Sequence, residues 1–362
     1  MKVLLLAGEE SGVLYANQIR AEILRRWPEA EIRGYGDYGF KVDDLAVMGI
    51  GQVLKKIFYF LGVKKTMERA IGEWRPDVVC TVDYPGMNLK LAAYAKARGV
   101  RAVHVVCPQV WAWKQGRIPK IEAALDRLCC FFPFEPGLFR PGFATFVGHP
   151  LVDEMARESG REGRKTGDGR RVLAILPGSR MGEIEKHMPV LLEVVETLQR
   201  EIPDLKVVIP AANDRAYAKI SSLIPHPSSL CVTRGGARAA LRDADAAVVA
   251  SGTATLEAAL AGCPTVLVYK VGWLFAFLAR RFIKGIRHIG LANIIAEKAG
   301  KQCPMPELLQ EDFTAEKVLA VLRPLLENEE ANAVARALLN ETMKLLRSDG
   351  GAIARVADRV LG

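Results

Sequence analysis

The chain has 362 residues, half of them hydrophobic and a quarter charged, with 50 basic against 41 acidic residues and a formal net charge of +9. At roughly 150 residues per domain this length suits about two globular domains, and the balance excludes a disordered chain, a coiled coil and a disulfide mini-protein. The basic excess favours an anionic partner: nucleic acid, a phosphorylated substrate or an acidic membrane surface.

In chain order, Met1 to Ala7 is too short for a signal peptide and reads as a first strand, Val3–Ala7. A helical pattern follows from about Leu14 to Trp27. Asp77–Val82 is a strand, Leu89–Arg98 a helix ended by Gly99, and Ala102–Cys107 and Leu128–Phe132 are further strands. The stretch Glu158–Arg170, ESGREGRKTGDGR, is rich in glycine and charge and has no large apolar residue, so it marks a domain boundary. Alternation then restarts with strand Val172–Leu176, a helix to about Arg200, strand Lys206–Pro210 and a helix over Asp214–Leu223. Strand Ala246–Ala250, helix Thr255–Ala261 and strand Thr265–Tyr269 complete it. Short apolar runs alternating with helical patterns predict βαβ units around parallel sheets. The expected fold is therefore α/β, with two Rossmann-like domains and a site in the cleft between them, at the carboxyl ends of the strands.

Seven cysteines, Cys80, Cys107, Cys129, Cys130, Cys231, Cys263 and Cys303, include no C-x-x-C pair. A zinc cage and a disulfide framework are not expected, and free thiols in apolar runs fit a reducing compartment. No run of 18 uncharged apolar residues occurs, so no transmembrane helix is expected and the cytosol is the predicted location. No recognised nucleic-acid module is present.

A literal G-x-G-x-x-G stands at Gly34, Gly36 and Gly39. Its preceding strand is at best four residues, no helix opens after it, and no acidic residue lies about 20 positions beyond. A glycine-rich turn is the better reading. Asp243 and Asp245 have the D-x-D spacing of a divalent-cation site, but no third oxygen ligand is evident. The alternative is a polar cap ahead of the strand Ala246–Ala250. The five histidines have no zinc-ligand spacing.

Two stronger signals follow strands. Pro177-Gly178-Ser179-Arg180 comes after RVLAIL and would turn backbone N–H groups toward an anion, with Arg180 gripping a phosphate. Ser251-Gly252-Thr253-Ala254-Thr255-Leu256-Glu257 repeats the strand–loop–helix logic, with Ser251 and Thr253 expected as helix caps. Glu257 falls outside capping-box register, which leaves it as a ribose-binding carboxylate or a surface residue. Two anion-ready loops in one domain suggest a diphosphate. In the first domain, Gly8-Glu9-Glu10-Ser11-Gly12 and Asp83-Tyr84-Pro85-Gly86-Met87-Asn88 follow strands, which makes Asp83 a candidate general base or a loop cap. Trp111 and Trp113, with Lys114 and Arg117, would line a hydrophobic channel or pack between domains. On a helix, Phe275, Leu278, Phe282 and Ile286 face opposite Arg280, Lys284 and Arg287, as on an interfacial helix. The segment Lys55–Leu61 with Lys64 and Lys65 adds a second basic, aromatic stretch.

These motifs, taken together, resemble the lipid-A-disaccharide synthase family. The blocks that carry the resemblance are AGEESG (7–12), LAVMGI (45–50), VDYPGMN (82–88), PQVWAWKQGRIPKI (108–121), FPFE (132–135), FVGHPLVDE (146–154), LPGSRMGEI (176–184), ASGTATLEAAL (250–260), the Asn293 segment and PELLQEDFT (306–314). The resemblance implies a GT-B fold. Residues 1–157 would form an acceptor domain, 158–170 a linker and 171–340 a UDP-sugar domain, with a C-terminal helix in 341–362 packing back on the first. It implies an inverting transfer from UDP-2,3-diacylglucosamine to 2,3-diacylglucosamine 1-phosphate, with no metal and no cofactor. Asp83 would be the base and Arg180 the phosphate-neutralising cation. Gly178, Ser179, Ser251, Gly252, Thr253, Glu257 and Asn293 would bind the donor, and Gly8, Glu9, Ser11, Gly12 and Asn88 would line the acceptor side. The partners implied are the two substrates, an anionic membrane surface on the inner face of the inner membrane, and a second copy exchanging C-terminal helices. Val13, Gly86 and Ala292 depart from the family pattern, where Asp, Asp and Pro are usual. A diverged paralogue with another glycolipid acceptor and a UDP-GlcNAc 2-epimerase-like enzyme are the alternatives.

Overall fold

A computed structural model describes residues 1–40, 53–159, 170–224, 230–272 and 287–362. The chain divides into two compact units, Met1–Asp153 with Leu346–Gly362, and Glu154–Leu345.

The first unit is a six-stranded parallel sheet in the order β2-β1-β3-β4-β5-β6, formed by β1 (Lys2–Ala7), β2 (Glu31–Arg33), β3 (Val78–Val82), β4 (Arg101–Val105), β5 (Arg127–Cys130) and β6 (Ala144–Phe146). Its helices are α1 (Glu10–Arg26), α2 (Val53–Trp74), α3 (Pro85–Lys96), α4 (Ile118–Ala124), the start of α5 (Pro150–Ser159) and the C-terminal helix, Ala352–Leu361. The central strands are apolar along their length because both faces are covered. Val3 and Leu5 pack on one face with Ile19 and Ile23 of α1 and with Val356 and Val360 of the C-terminal helix. Leu4 and Leu6 pack on the other with Met67 and Ile71 of α2 and Leu91 of α3. The C-terminal segment is tied in by polar contacts as well. Ala352 N–H donates to Asp153 Oδ2 at 2.7 Å, Ser348 Oγ donates to the Val147 carbonyl at 2.6 Å, and Arg26 pairs with Asp358.

The second unit repeats the pattern in the order β12-β11-β10-β7-β8-β9: β7 (Val172–Leu176), β8 (Lys206–Ala211), β9 (Leu230–Arg234), β10 (Ala246–Ala250), β11 (Thr265–Tyr269) and β12 (Glu307–Leu309), all parallel. Its helices are α6 (Met181–Glu201), α7 (Asp214–Leu223), α8 (Ala237–Asp243), α9 (Thr253–Leu260), α10 (Leu291–Lys298), α11 (Ala315–Glu327) and α12 (Glu329–Lys344); the C-terminal helix is α13. Leu173 and Ile175 of β7 meet Ile184, Met188 and Leu191 of α6 and Val318 and Leu322 of α11 in the main core.

Among the boundaries that differ from the sequence reading, two have a clear local reason. The strand expected over Ala102–Cys107 stops at Val105, because Val106 turns into the left-handed region (φ 76°). Helix α3 begins at Pro85 rather than near Leu89, with proline at the first helical turn, where its missing N–H costs nothing.

Candidate functional site

In the first unit β1 and β3 are neighbours in register (Ala7 opposite Val82), so the turns that leave them share one edge of the sheet. Asp83 and Tyr84 both take left-handed backbone, at φ 51° and 49°. Two such residues in a row store strain of about 1–3 kcal/mol each, and the surroundings hold them there. Asn88, fully buried, donates from Nδ2 to the Asp83 carbonyl at 2.8 Å and the Val82 carbonyl at 3.2 Å, and its Oδ1 accepts from the Tyr35 hydroxyl at 2.8 Å. Asp83 N–H donates to the Val105 carbonyl at 2.9 Å, and Tyr84 N–H donates to Asp83 Oδ1 at 2.8 Å. The Tyr84 ring lies against Gly8, where a Cβ would come within 2.4 Å of it, so only glycine fits. Burial pushes the half-buried Asp83 carboxyl above the usual carboxylate range, against the opposing Tyr84 N–H bond. Glu9, at the start of α1, is raised by its own burial and by the charge of Asp83. Ser11 is exposed on the first turn of α1, and Gly12 is buried beneath it. The geometry is that of a carboxylate held at a strand end, with an elevated proton affinity suited to accepting a proton.

In the second unit β7 and β10 are neighbours, and the loops 177–180 and 251–253 leave the same edge. Gly178 has φ 113° and sits on Glu183, so an added Cβ would come within 2.6 Å of the carboxylate. Glu183 is largely buried and reaches back to Arg180, pairing with Nη1 at 3.0 Å, while the Arg180 side chain is 81% exposed. Ser179 is exposed beside it. Ser251 N–H donates to the Val268 carbonyl at 3.2 Å, which ties the exit of β10 to β11. Gly252, at φ 153°, is the N-cap of α9 and has no side-chain cap bond. The expected capping by Ser251 or Thr253 is therefore corrected: Thr255 turns its hydroxyl to the Gly252 carbonyl at 2.7 Å, and Gly252 and Thr253 lie exposed at the edge.

The sequence profile of the family described as Lipid-A-disaccharide synthetase matches residues 3–353. The chain belongs to the lipid-A-disaccharide synthase family. It is 36% identical to the lipid-A-disaccharide synthase of Anaeromyxobacter dehalogenans (strain 2CP-C), over 100% of this chain and 97% of that one. With that of Burkholderia pseudomallei (strain K96243) it shares 38%, over 89% and 88%. Membership makes it a glycosyltransferase of lipid A biosynthesis with the GT-B fold. Solved structures agree on the fold. The calicheamicin glycosyltransferase CalG4 superposes with a TM-score of 0.62 at 16% identity over 99% of this chain and 97% of that one. The UDP-GlcNAc 2-epimerase from Neisseria meningitidis bound to UDP-GlcNAc gives 0.62 at 12% over 100% of both.

Several residues singled out from the sequence of this lipid-A-disaccharide synthase family member have inward partners. The Asn88 amide is engaged with the Asp83 turn, as above. Glu257 pairs with Arg238 Nε at 2.9 Å, and the same guanidinium holds Glu158 at 2.8 Å and Glu154 at 3.2 Å, which joins α9, α8 and α5. Asn293 is buried in α10, donating to the Met305 carbonyl at 2.7 Å and Glu307 Oε1 at 2.8 Å and accepting from Met305 N–H at 3.0 Å. Asp245 sits at the amino end of β10, where Oδ2 accepts from Val172 N–H at 2.8 Å. It is a cap between strands, at the edge opposite the 177–180 and 251–253 loops. Gly34, Gly36 and Gly39 belong to a short 3₁₀ turn closed by Asp37, which accepts from Gly34 N–H at 2.6 Å. Trp111 is buried in the first unit and donates from Nε1 to Glu135 at 3.1 Å, so it is core and not channel lining; Trp113 is exposed with Lys114 over its ring.

Among the described residues, one group brings three metal-ligating atoms within 4.8 Å, the buried Cys107, Cys130 and Glu135. Glu135 also accepts from Phe132 N–H at 3.1 Å, and burial pushes its carboxyl up to about 8 despite these bonds. It keeps its proton at neutral pH, and the cluster reads as a neutral network that fastens Trp111. The expected interfacial helix over 273–288 and the LAVMGI block lie almost wholly or wholly outside the described residues. Among the described residues no helix is long and apolar enough to cross a membrane.

Sequence reading missed Glu183 and His187 on α6. His187 is fully buried, with Nδ1 2.7 Å from the Pro177 carbonyl and Nε2 accepting from Lys270 N–H at 3.0 Å. The available signal was their spacing: three and seven residues after Arg180, both fall on the helix face beneath the loop.

Proposed function

We propose that the chain joins two acylated glucosamines, transferring the sugar of UDP-2,3-diacylglucosamine to a hydroxyl of 2,3-diacylglucosamine 1-phosphate with inversion and releasing UDP. The observation that carries this reading is the family match across residues 3–353; the two loop-bearing sheet edges support the roles. Asp83 takes the proton of the acceptor hydroxyl as that oxygen bonds the donor's anomeric carbon, and the bond from that carbon to the diphosphate breaks. Arg180 neutralises charge gathering on the departing diphosphate. Backbone and hydroxyl groups of Gly178, Ser179, Ser251, Gly252 and Thr253 bind the phosphates. The turn Gly8, Glu9, Ser11 and Gly12 lines the acceptor side. Asn88 positions Asp83, and Glu257 and Asn293 position the donor side through Arg238 and the 305–307 segment. The acylated substrates and the net charge of +9 support a peripheral place on the inner face of the inner membrane. A homodimer exchanging C-terminal helices belongs to the same proposal.

Asp83→Asn and Arg180→Ala test the roles. Each is expected to lower turnover about a hundredfold or more with an unchanged circular dichroism spectrum. Near-wild-type turnover in either would remove its assigned role. Incubation with UDP-GlcNAc alone tests the epimerase alternative, and the proposal expects no 2-epimer.

A further inference from the structure

His187 lies on α6 with every polar atom of its ring committed. Pro177 offers only a carbonyl there and Lys270 only a backbone N–H, so the partners themselves fix the tautomer. Nδ1 carries the proton and donates at 2.7 Å; Nε2 is bare and accepts at 3.0 Å. Burial holds the ring below the usual histidine range, with Lys186 adding to that and Glu183 opposing it. The imidazole is therefore neutral at physiological pH, as both bonds require.

The two partners lie on different strand ends. Pro177 follows β7 and Lys270 follows β11, and the sheet order places β10 between those strands. The ring thus spans the carboxyl end of β10, from which the 251–253 loop departs. That loop is itself bonded to β11 through Ser251 N–H and the Val268 carbonyl. The ring is wedged between Tyr269 and Phe313, with centroids 5.9 and 5.5 Å away. One side chain consequently links the 177–180 loop to the strand that holds the 251–253 loop.

We propose that His187 is a positioning residue for the donor diphosphate, holding the 177–180 and 251–253 loops at the one separation at which both contact the same diphosphate. This rests on the reading of those loops as the donor site given above. A general stabilising role would act on every ligand alike, whereas a spacing role acts on a ligand that needs both loops.

The test compares affinities for UDP and UMP by calorimetry on folded protein. His187→Leu keeps neither bond, His187→Asn keeps a donor near the Nδ1 place, and His187→Gln keeps an acceptor near the Nε2 place. The ratio of UDP to UMP affinity is expected to fall about tenfold in His187→Leu, and about threefold in each amide variant, on the scale of one or two neutral hydrogen bonds. If His187→Leu does not fold, the amide variants carry the comparison. An unchanged ratio in the folded variants, or equal losses for UDP and UMP, would overturn the proposal. A wild-type protein that does not bind UDP would instead remove the donor-site reading beneath it.

Discussion

Asp83 joins backbone strain to chemistry. Its turn exists because Asn88, buried and bonded to Tyr35, takes up the carbonyls that the left-handed residues displace. Asn88→Ala leaves those carbonyls and the Tyr35 hydroxyl without partners, at about 2–3 kcal/mol of stability, and lets the carboxylate wander. Chemical denaturation and turnover of the same variant are expected to fall together; full activity with lowered stability would detach Asn88 from Asp83. In the role proposed for it Asp83 acts only when ionised, and burial raises its carboxyl, so the acid limb of the rate profile should lie above the usual carboxylate range. A limb at or below the ordinary Asp value would contradict this. Glu135 gives a separate dependence. Its folded-state carboxyl sits at about 8, above the ordinary 4.5, so its contribution is complete at low pH and is lost as pH rises through 8. Melting temperature should drop between about pH 4.5 and 8 and level off above that, and Glu135→Gln should flatten that slope. Asp83, Arg180, Gly178 and the Ser251 loop were visible in the sequence because each follows an apolar strand directly. Asn88, Glu257 and Asn293 were visible as residues but not as inward-bonded ones. Their partners Tyr35, Arg238 and Met305 lie elsewhere in the chain, and no local pattern sets where an amide or carboxylate points.

Elements follow the same division. β1, β3, β7, β10 and β11 were legible because strands buried on both faces are continuous apolar runs. β2, β6 and β12 have three residues each, too few to show a period, and take their place only by pairing with longer neighbours. Helix α1 starts at Glu10, ahead of the apolar periodicity near Leu14, because its first turn is the polar Glu10-Ser11-Gly12. Val13, where the family pattern has Asp, is half-buried against the core cluster of the first unit. Helix α13 completes that core with Val356, Ala357 and Val360. Val356→Ala should cost about 2 kcal/mol, seen as a lowered denaturation midpoint; an unchanged midpoint would mean that α13 does not contribute to the fold of the first unit.

At the scale of the whole molecule, two parallel sheets repeat one construction, with a strained carboxylate corner on the first and the 177–180 and 251–253 loops at one edge of the second. Family membership across residues 3–353 makes the chain a glycosyltransferase of lipid A biosynthesis. Of the positions where the sequence reading found a departure from the family pattern, Gly86 is exposed on the first turn of α3, while Ala292 is buried in α10. The most direct measurement is turnover of the purified protein in detergent with UDP-2,3-diacylglucosamine and 2,3-diacylglucosamine 1-phosphate, following UDP and disaccharide together. The account predicts the two products in equal amounts, both abolished by Asp83→Asn. UDP binding without any disaccharide would contradict the proposed acceptor while leaving the donor site in place.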